Sequence, residues 1–262
     1  MTTTHKGGVL VAVANPEGVA PLIAIALAAS DPNGGVPPLV LALVRQTDGG
    51  AGSEPQGAQA NAPPSSAALS AAIEYARARG VTIDAQAVRS DDPALDIITI
   101  GHSARVAWIL LGYHRAASGG DTLGGVVREV LFKAKGLPFS VGVFIQVSDR
   151  PFERVFAAID AGPDGRAALE LVTRLVQRAE YSLHVIRITG AGEPAEPELS
   201  ALLAEAARVA GRRLHTEAMA SPTADSISAR TAPGLVVIGA ALADQLGLAR
   251  RGFADGRPMI LV

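Results

Sequence analysis

The stretch Trp108–Val130, WILLGYHRAASGGDTLGGVVREV, holds the residues of this chain best suited to bind an anion. An apolar run ends at Gly112, His114 and Arg115 follow, and the glycine pairs Gly119-Gly120 and Gly124-Gly125 precede a segment of helical spacing. Glycines allow close backbone approach, and N–H groups at the start of a helix cradle phosphates. A guanidinium at 115 adds bidentate capacity. A solvated loop at the carboxyl end of a strand is the bland alternative, and these residues alone leave both readings open.

Little else in the chain suggests chemistry. The five histidines, His5, His102, His114, His184 and His215, show no metal-ligand spacing, so no metal is expected. The sequence GHSAR at Gly101 lacks the closing glycine of a nucleophile elbow, and there is no cysteine. Gly190-Ala-Gly192-Glu-Pro-Ala195 imitates a dinucleotide fingerprint, but it follows the second strand of its unit, and Pro194 and Pro197 suit an ordinary loop better. His102 and His184 read as structural. His114, with an ordinary imidazole value of about 6.5, is a candidate for pH sensing. Asp91-Asp92-Pro93 and Asp164-Gly165 read as helix caps. The expectation is a non-enzyme.

At 262 residues the chain has room for one large domain or two smaller ones. With 48% hydrophobic and 18% charged residues it reads as globular. A net charge of −2 without a basic stripe argues against nucleic acid as a partner. The polar start and the lack of any bilayer-length apolar run point to a chain that is neither exported nor membrane-spanning by itself, with the cytosol as default.

Short apolar runs alternate with segments of helical period, the pattern of parallel strands joined by crossover helices. Strands are expected at Gly8–Ala14, Pro38–Val44, Thr82–Val88, Val106–Gly112 and Phe139–Gln146. After SDRPFERVF the order starts again, at Arg154–Asp160, Ser182–Ile188, Arg213–Ala218, Leu235–Gly239 and Pro258–Val262. Helices are expected at Glu17–Ser30, Ser65–Arg79, Pro93–Ser103, Leu123–Lys135, Gly165–Arg178 and Glu198–Gly211, and more weakly at Ala224–Arg230 and Ala241–Arg250. The openings and closings of the halves correspond, which predicts domains at 1–148 and 149–262 with a seam near Ser148–Phe152. Residues 45–64, rich in Gly, Ala, Pro and Gln, read as a flexible surface loop.

Two five-strand units opening VLVAVANP and VFAAIDAG resemble a tandem of universal stress protein domains, doubly wound α/β folds similar to the adenine nucleotide alpha hydrolases. The resemblance covers nearly the whole chain and implies two tandem doubly wound parallel-sheet domains, the second shortened. More narrowly, Pro16–Ile25, Ala29-Ser30-Asp31-Pro32, Tyr113-His114-Arg115 and Ser140-Val141-Gly142-Val143 are similar to the cytosolic C-terminal tails of monovalent cation:proton antiporters.

ATP-holding universal stress domains carry G-x-x-G, nine residues, then G-[S/T]. Here that pattern falls on Gly112, Arg115 and either Gly125-Val126 or, eight residues on, Gly124-Gly125. The aspartate that the family places after its first strand falls on Ala14 or Asn15 beside Pro16 in the first half, with Val44 ending the second strand, whereas the second half has Asp160. Each half keeps a different part of the site.

The resemblance therefore implies a cytosolic regulatory module at the inner face of the cell membrane. It would be attached to, or associated with, an antiporter's membrane domain, and would sense pH or a small nucleotide: ATP, AMP or a cyclic dinucleotide. A homodimer is expected through the apolar strands SVGVFI and MILV. The alternatives are a free-standing tandem universal stress protein that binds ATP or AMP and, further off, a nucleotide hydrolase.

Overall fold

The computed structural model describes residues 7–30, 35–45, 66–113, 125–145, 153–178, 180–189, 197–248 and 258–262. Ten strands form a single sheet: β1 (Val9–Val13), β2 (Leu39–Arg45), β3 (Asp84–Ser90), β4 (Trp108–Tyr113), β5 (Ser140–Ile145), β6 (Arg154–Ile159), β7 (Ser182–Ile188), β8 (Leu214–Met219), β9 (Leu235–Ile238) and β10 (Met259–Leu261). Their order across the sheet is β3-β2-β1-β4-β5-β10-β9-β6-β7-β8. The first half thus runs 3-2-1-4-5, and from the opposite edge the second half runs 8-7-6-9-10, the same doubly wound path twice. Every pairing is parallel except the central one, where β10 meets β5 antiparallel with Ile260 opposite Phe144.

That central pairing corrects one expectation. The strands SVGVFI and MILV do not offer free edges to a second copy; they are β5 and β10, and each saturates the other within the chain.

Among the described residues, helices cover the two faces. On one face lie α1 (Val19–Ala29), α2 (Ala67–Arg79), α5 (Pro163–Arg178) and α6 (Pro197–Ala210), and their apolar side chains join one core with Val9, Val11, Leu110 and Ala157. On the other lie α3 (Pro93–Ala104), α4 (Gly125–Lys133), α7 (Ala224–Thr231) and α8 (Ala240–Gln245), over Leu10, Ile109, Leu111 and Val236. Strands sandwiched in this way are apolar on both sides, which is why they read as continuous runs of Val, Ile and Leu.

Helix α1 is buried around most of its circumference, at Val19, Leu22, Ile23, Ile25, Ala26 and Ala29, because it is held among the sheet, α2 and α5. Helix α5 instead buries one stripe, at Ala168, Leu169, Leu171, Val172, Leu175 and Val176, the spacing of an amphipathic helix. The contact of α1 with α5 ties the two halves on this face, and Arg174 of α5 donates to the Gly7 carbonyl at 3.3 Å.

Local signals set the helix ends. Asp92 caps α3, its carboxylate accepting from the Leu95 N–H at 2.9 Å, and Pro93 takes the first turn. Thr223 and Ser226 form a reciprocal capping box on α7. The second proposed cap falls differently: α5 begins at Pro163, so Asp164 lies inside the first turn rather than capping it. Pro16–Gly18 forms a single 3-10 turn ahead of α1, and α8 ends at Gln245, followed by a turn at Leu246-Gly247 and a return to helical geometry at Leu248, while Arg250 lies outside the described residues. The segment 46–64 and the seam at 148–152 lie outside the described residues.

The tightest point of the junction is Gly142 on β5, where a Cβ would approach Leu110 Cδ2 at 2.9 Å and Ile260 Cγ2 at 3.2 Å. Gly142→Val should cost about 1–3 kcal/mol by overpacking. Urea denaturation monitored by circular dichroism would show a lowered midpoint, and an unchanged midpoint would mean that the β5–β10 junction packs more loosely than described.

Candidate functional site

In a doubly wound sheet the ligand crevice opens at the carboxyl ends of the strands, where chain order reverses. Order reverses twice in this sheet, between β1 and β4 and between β6 and β9.

At the first reversal Ala12 pairs with Leu111, which sets Gly112 one step beyond, level with Val13 at the carboxyl edge. Val13 pairs with Ala42, so Asn15 and Val44 run out at the same edge. Asn15 Oδ1 accepts from the Glu17 N–H at 3.1 Å and so caps the Pro16–Gly18 turn. A Cβ at Gly112 would lie 3.3 Å from Leu22 Cδ2 of α1, close enough that the leucine tip would have to shift by a few tenths of an ångström. Gly125 opens α4 with no atom of the described residues within 4 Å of where its Cβ would be, and the Val126 side chain is exposed. Asn15, Pro16, Val44 and Gly112 are thus gathered at one edge of the sheet, while Gly125 and Val126 stand at an open helix start. His114, Arg115 and Gly124 lie outside the described residues.

The second reversal looks different because the chain has filled it. Asp160 follows β6, and its Oδ1 accepts from the Gly162 N–H at 3.1 Å, a turn like that made by Asn15. Gly165 is pressed onto it: a Cβ at 165 would lie 2.3 Å from the Asp160 carbonyl oxygen. Gly239 ends β9 directly into α8 and packs against Asp164, whose Cβ would be 2.8 Å from a Cβ at 239. The Ala240 N–H, one of the donors that a phosphate could have met, is already bonded to the Val262 carbonyl at 2.8 Å. The imitation of a dinucleotide fingerprint at Gly190–Ala195 lies outside the described residues.

Two features at the carboxyl edges carry no sequence signal. Ser90, the last residue of β3, is 3% exposed, and its hydroxyl has no hydrogen-bond partner in the protein. Arg187, near the end of β7 and opposite Ile159, buries an Nε that likewise has no partner. Buried polar atoms are nearly always paired, so these two atoms, without a partner among the described residues, stand out at the carboxyl edge. A single serine or arginine at a strand end gives no periodicity or motif that would have singled it out.

No protein-family model matches the chain, and no curated protein matches it in sequence. Solved structures do match its fold. The chain is similar to a universal stress protein from Archaeoglobus fulgidus (TM-score 0.52, 17% identity, 98% of this chain and 97% of that one). It is also similar to the cytoplasmic domain of a prokaryotic cation chloride cotransporter (TM-score 0.61, 13% identity, 98% and 95%). A functionally unknown protein from Pseudomonas aeruginosa matches at a TM-score of 0.52 with 18% identity, covering 98% and 92%. The fold is therefore the doubly wound α/β architecture of universal stress proteins.

The contrast between the two reversals can be checked at Gly165. Gly165→Ala would force a methyl group into the Asp160 backbone and should lower stability by about 1–3 kcal/mol. Gly125→Ala, with nothing near its Cβ, should leave the thermal midpoint unchanged or slightly raised. Equal losses at both positions would show that the two crevices are equally closed.

Proposed function

We propose that this chain is a non-catalytic regulatory module of a cation:proton antiporter, acting at the cytoplasmic face of the membrane and sensing an adenine nucleotide or pH. The observation that carries the reading is the likeness, over nearly all of both chains, to the cytoplasmic domain of a prokaryotic cation chloride cotransporter. The antiporter-like stretches Pro16–Ile25, Ala29–Pro32, Tyr113–Arg115 and Ser140–Val143 support it from the sequence. No helix among the described residues is long and apolar enough to cross a membrane, so a pore would have to come from elsewhere.

The nucleotide would lie at the first reversal. The open start of α4 supplies N–H groups for phosphate, the carboxyl edge carries Asn15 and Val44, and Arg115 adds a cation. ATP, AMP and a cyclic dinucleotide share this chemistry. The filled second reversal supports Asp160 as a turn-forming residue and favours the first half as the one that would hold a ligand. Binding would act as a population shift, favouring one packing of the module and passing that bias to the membrane part.

A free-standing universal stress protein is the second reading, favoured by the likeness to the Archaeoglobus protein. A reading frame that continues upstream into a series of membrane helices would reject it. Calorimetric titration with ATP, AMP and a cyclic dinucleotide should give heat for one of the three. That heat should be about tenfold harder to saturate in Arg115→Ala, as expected for losing one charge-assisted contact. Absence of heat at millimolar ligand removes the nucleotide, and steady release of phosphate from ATP would make the chain a hydrolase.

A further inference from the structure

The open cavity on the helix-covered face of the second half is not at a carboxyl edge. It has a volume of about 340 Å³ and is bounded by Phe156, His184, His215, Thr216, Glu217 and Arg230. Its floor is a ladder of three rings on neighbouring strands. Phe156 of β6 is opposite His184 of β7, and His184 is opposite His215 of β8. The Phe156 and His184 ring centroids are 4.9 Å apart, and the two imidazoles stack at 4.6 Å with their planes 20° apart. In the first half the corresponding ladder is Leu10, Leu39 and Asp84, on the face covered by the twelve-residue α3. Over the histidines the covering helix, α7, has only eight residues, and the edge strand β8 is exposed.

We propose that the stacked His184–His215 pair is a proton-operated latch on α7, closed when both imidazoles are neutral and released when the pair takes up charge. The charged groups that face the pair come from three elements: Arg154 from β6, Glu217 from β8 beside His215, and Arg230 from α7. Among these, Glu217 is the one anion, and it is engaged by Arg230 Nε at 3.1 Å, a bridge that ties α7 to β8. Ser226 of α7 adds a weaker contact, its Oγ lying 3.5 Å from Met219 Sδ on the same strand.

A proton on either imidazole places a cation against a second ring that can also charge, between two arginines and beside a phenyl group that accepts no hydrogen bond. The carboxylate that can relieve this charge is Glu217, and its turn toward the imidazolium withdraws it from Arg230. Helix α7 then loses its bridge to the edge strand, and the cavity gives water a way in.

Burial, the neighbouring His215 and Arg154 hold the His184 imidazole below its ordinary range, against the opposing pull of Glu217. The unfolded chain therefore binds protons more readily at this position. The stability that neutral His184 contributes is full above its unfolded value of about 6.5 and is lost as pH falls through the lowered native value. Among the described residues no three His, Cys, Asp or Glu side chains gather where they could hold a metal ion. The latch lies on the sheet face, away from the carboxyl edge, and does not depend on a nucleotide binding there.

Hydrogen exchange on the full chain at about pH 7.5 and about pH 5.5, corrected for intrinsic rates, tests the latch directly. The amides of α7 should lose protection about tenfold at the lower pH, while those of α3 keep theirs. In the double variant His184→Leu/His215→Leu, which copies the first half's leucine at 184, the pH response of α7 should vanish. Equal protection of α7 at both pH values in the native chain, or a response that survives in the double variant, overturns the proposal. Should that variant fail to fold, NMR titration of the His184 ring decides the matter. Its midpoint should rise in His215→Gln as the like-charged neighbour is removed, and an unmoved midpoint rejects the coupling.

Discussion

The pairing of β5 with β10 determines the shape of everything else. Each half ends in an apolar strand whose outer edge would otherwise expose unpaired N–H and C=O groups, a template for association. Joining them antiparallel makes one ten-stranded sheet and relates the halves by an approximate two-fold at the junction. Only three residues of β10 take part, yet they are paired on both sides, to β5 and to β9, and Ile260 and Leu261 enter the cores of opposite faces. The glycine at 142 follows from this crowding: Leu110 and Ile260 converge on the space that a side chain would occupy. With the middle of the sheet sealed, its open edges are β3 and β8, which carry polar residues at half or more of their positions.

Sealing the centre leaves two crevices on one frame, and they have diverged through a few short contacts. At the second, a glycine at 165 lets α5 press onto the Asp160 backbone, and a glycine at 239 lets β9 turn directly into α8. Both glycines serve internal packing, so neither leaves room for a phosphate. At the first, Gly125 has open space around it, and a 3-10 turn capped by Asn15 precedes α1. Proline at 16 and at 163 stiffens the start of the connection in each half, but only in the second does the helix begin at the proline itself.

Much of this was legible in the sequence, because buried parallel strands and amphipathic helices declare themselves by period. The β7 expectation, Ser182–Ile188, coincides with the observed strand, and most other strand ends differ by one or two residues. What failed was information that does not reside in local pattern. The strands SVGVFI and MILV read as free edges, since nothing local tells a strand that its partner lies more than a hundred residues away in the same chain. Asp164-Gly165 read as a cap because the composition was right, but Pro163 had already started the helix. Asn15, Gly112 and Asp160 were placed at the sheet's carboxyl edge by motif. Ser90 and Arg187 were not, since a lone polar residue gains meaning only when burial removes its partners.

The same reasoning explains why the histidines divided as they did. His184 inside an apolar strand reads as a structural residue, and by burial alone that reading is sound. Its character changes through register: a parallel ladder sets His215 directly opposite, so the two imidazoles stack and share one environment. The leucine at the matching position in β2 shows that the frame does not require a titratable group there. A sheet that buries Leu39 in one half and sets a half-buried His184 in the other has exchanged part of its hydrophobic stability for sensitivity to protons. It has done so beneath its shorter covering helix, where water is nearest and the cost of charging a ring is lowest.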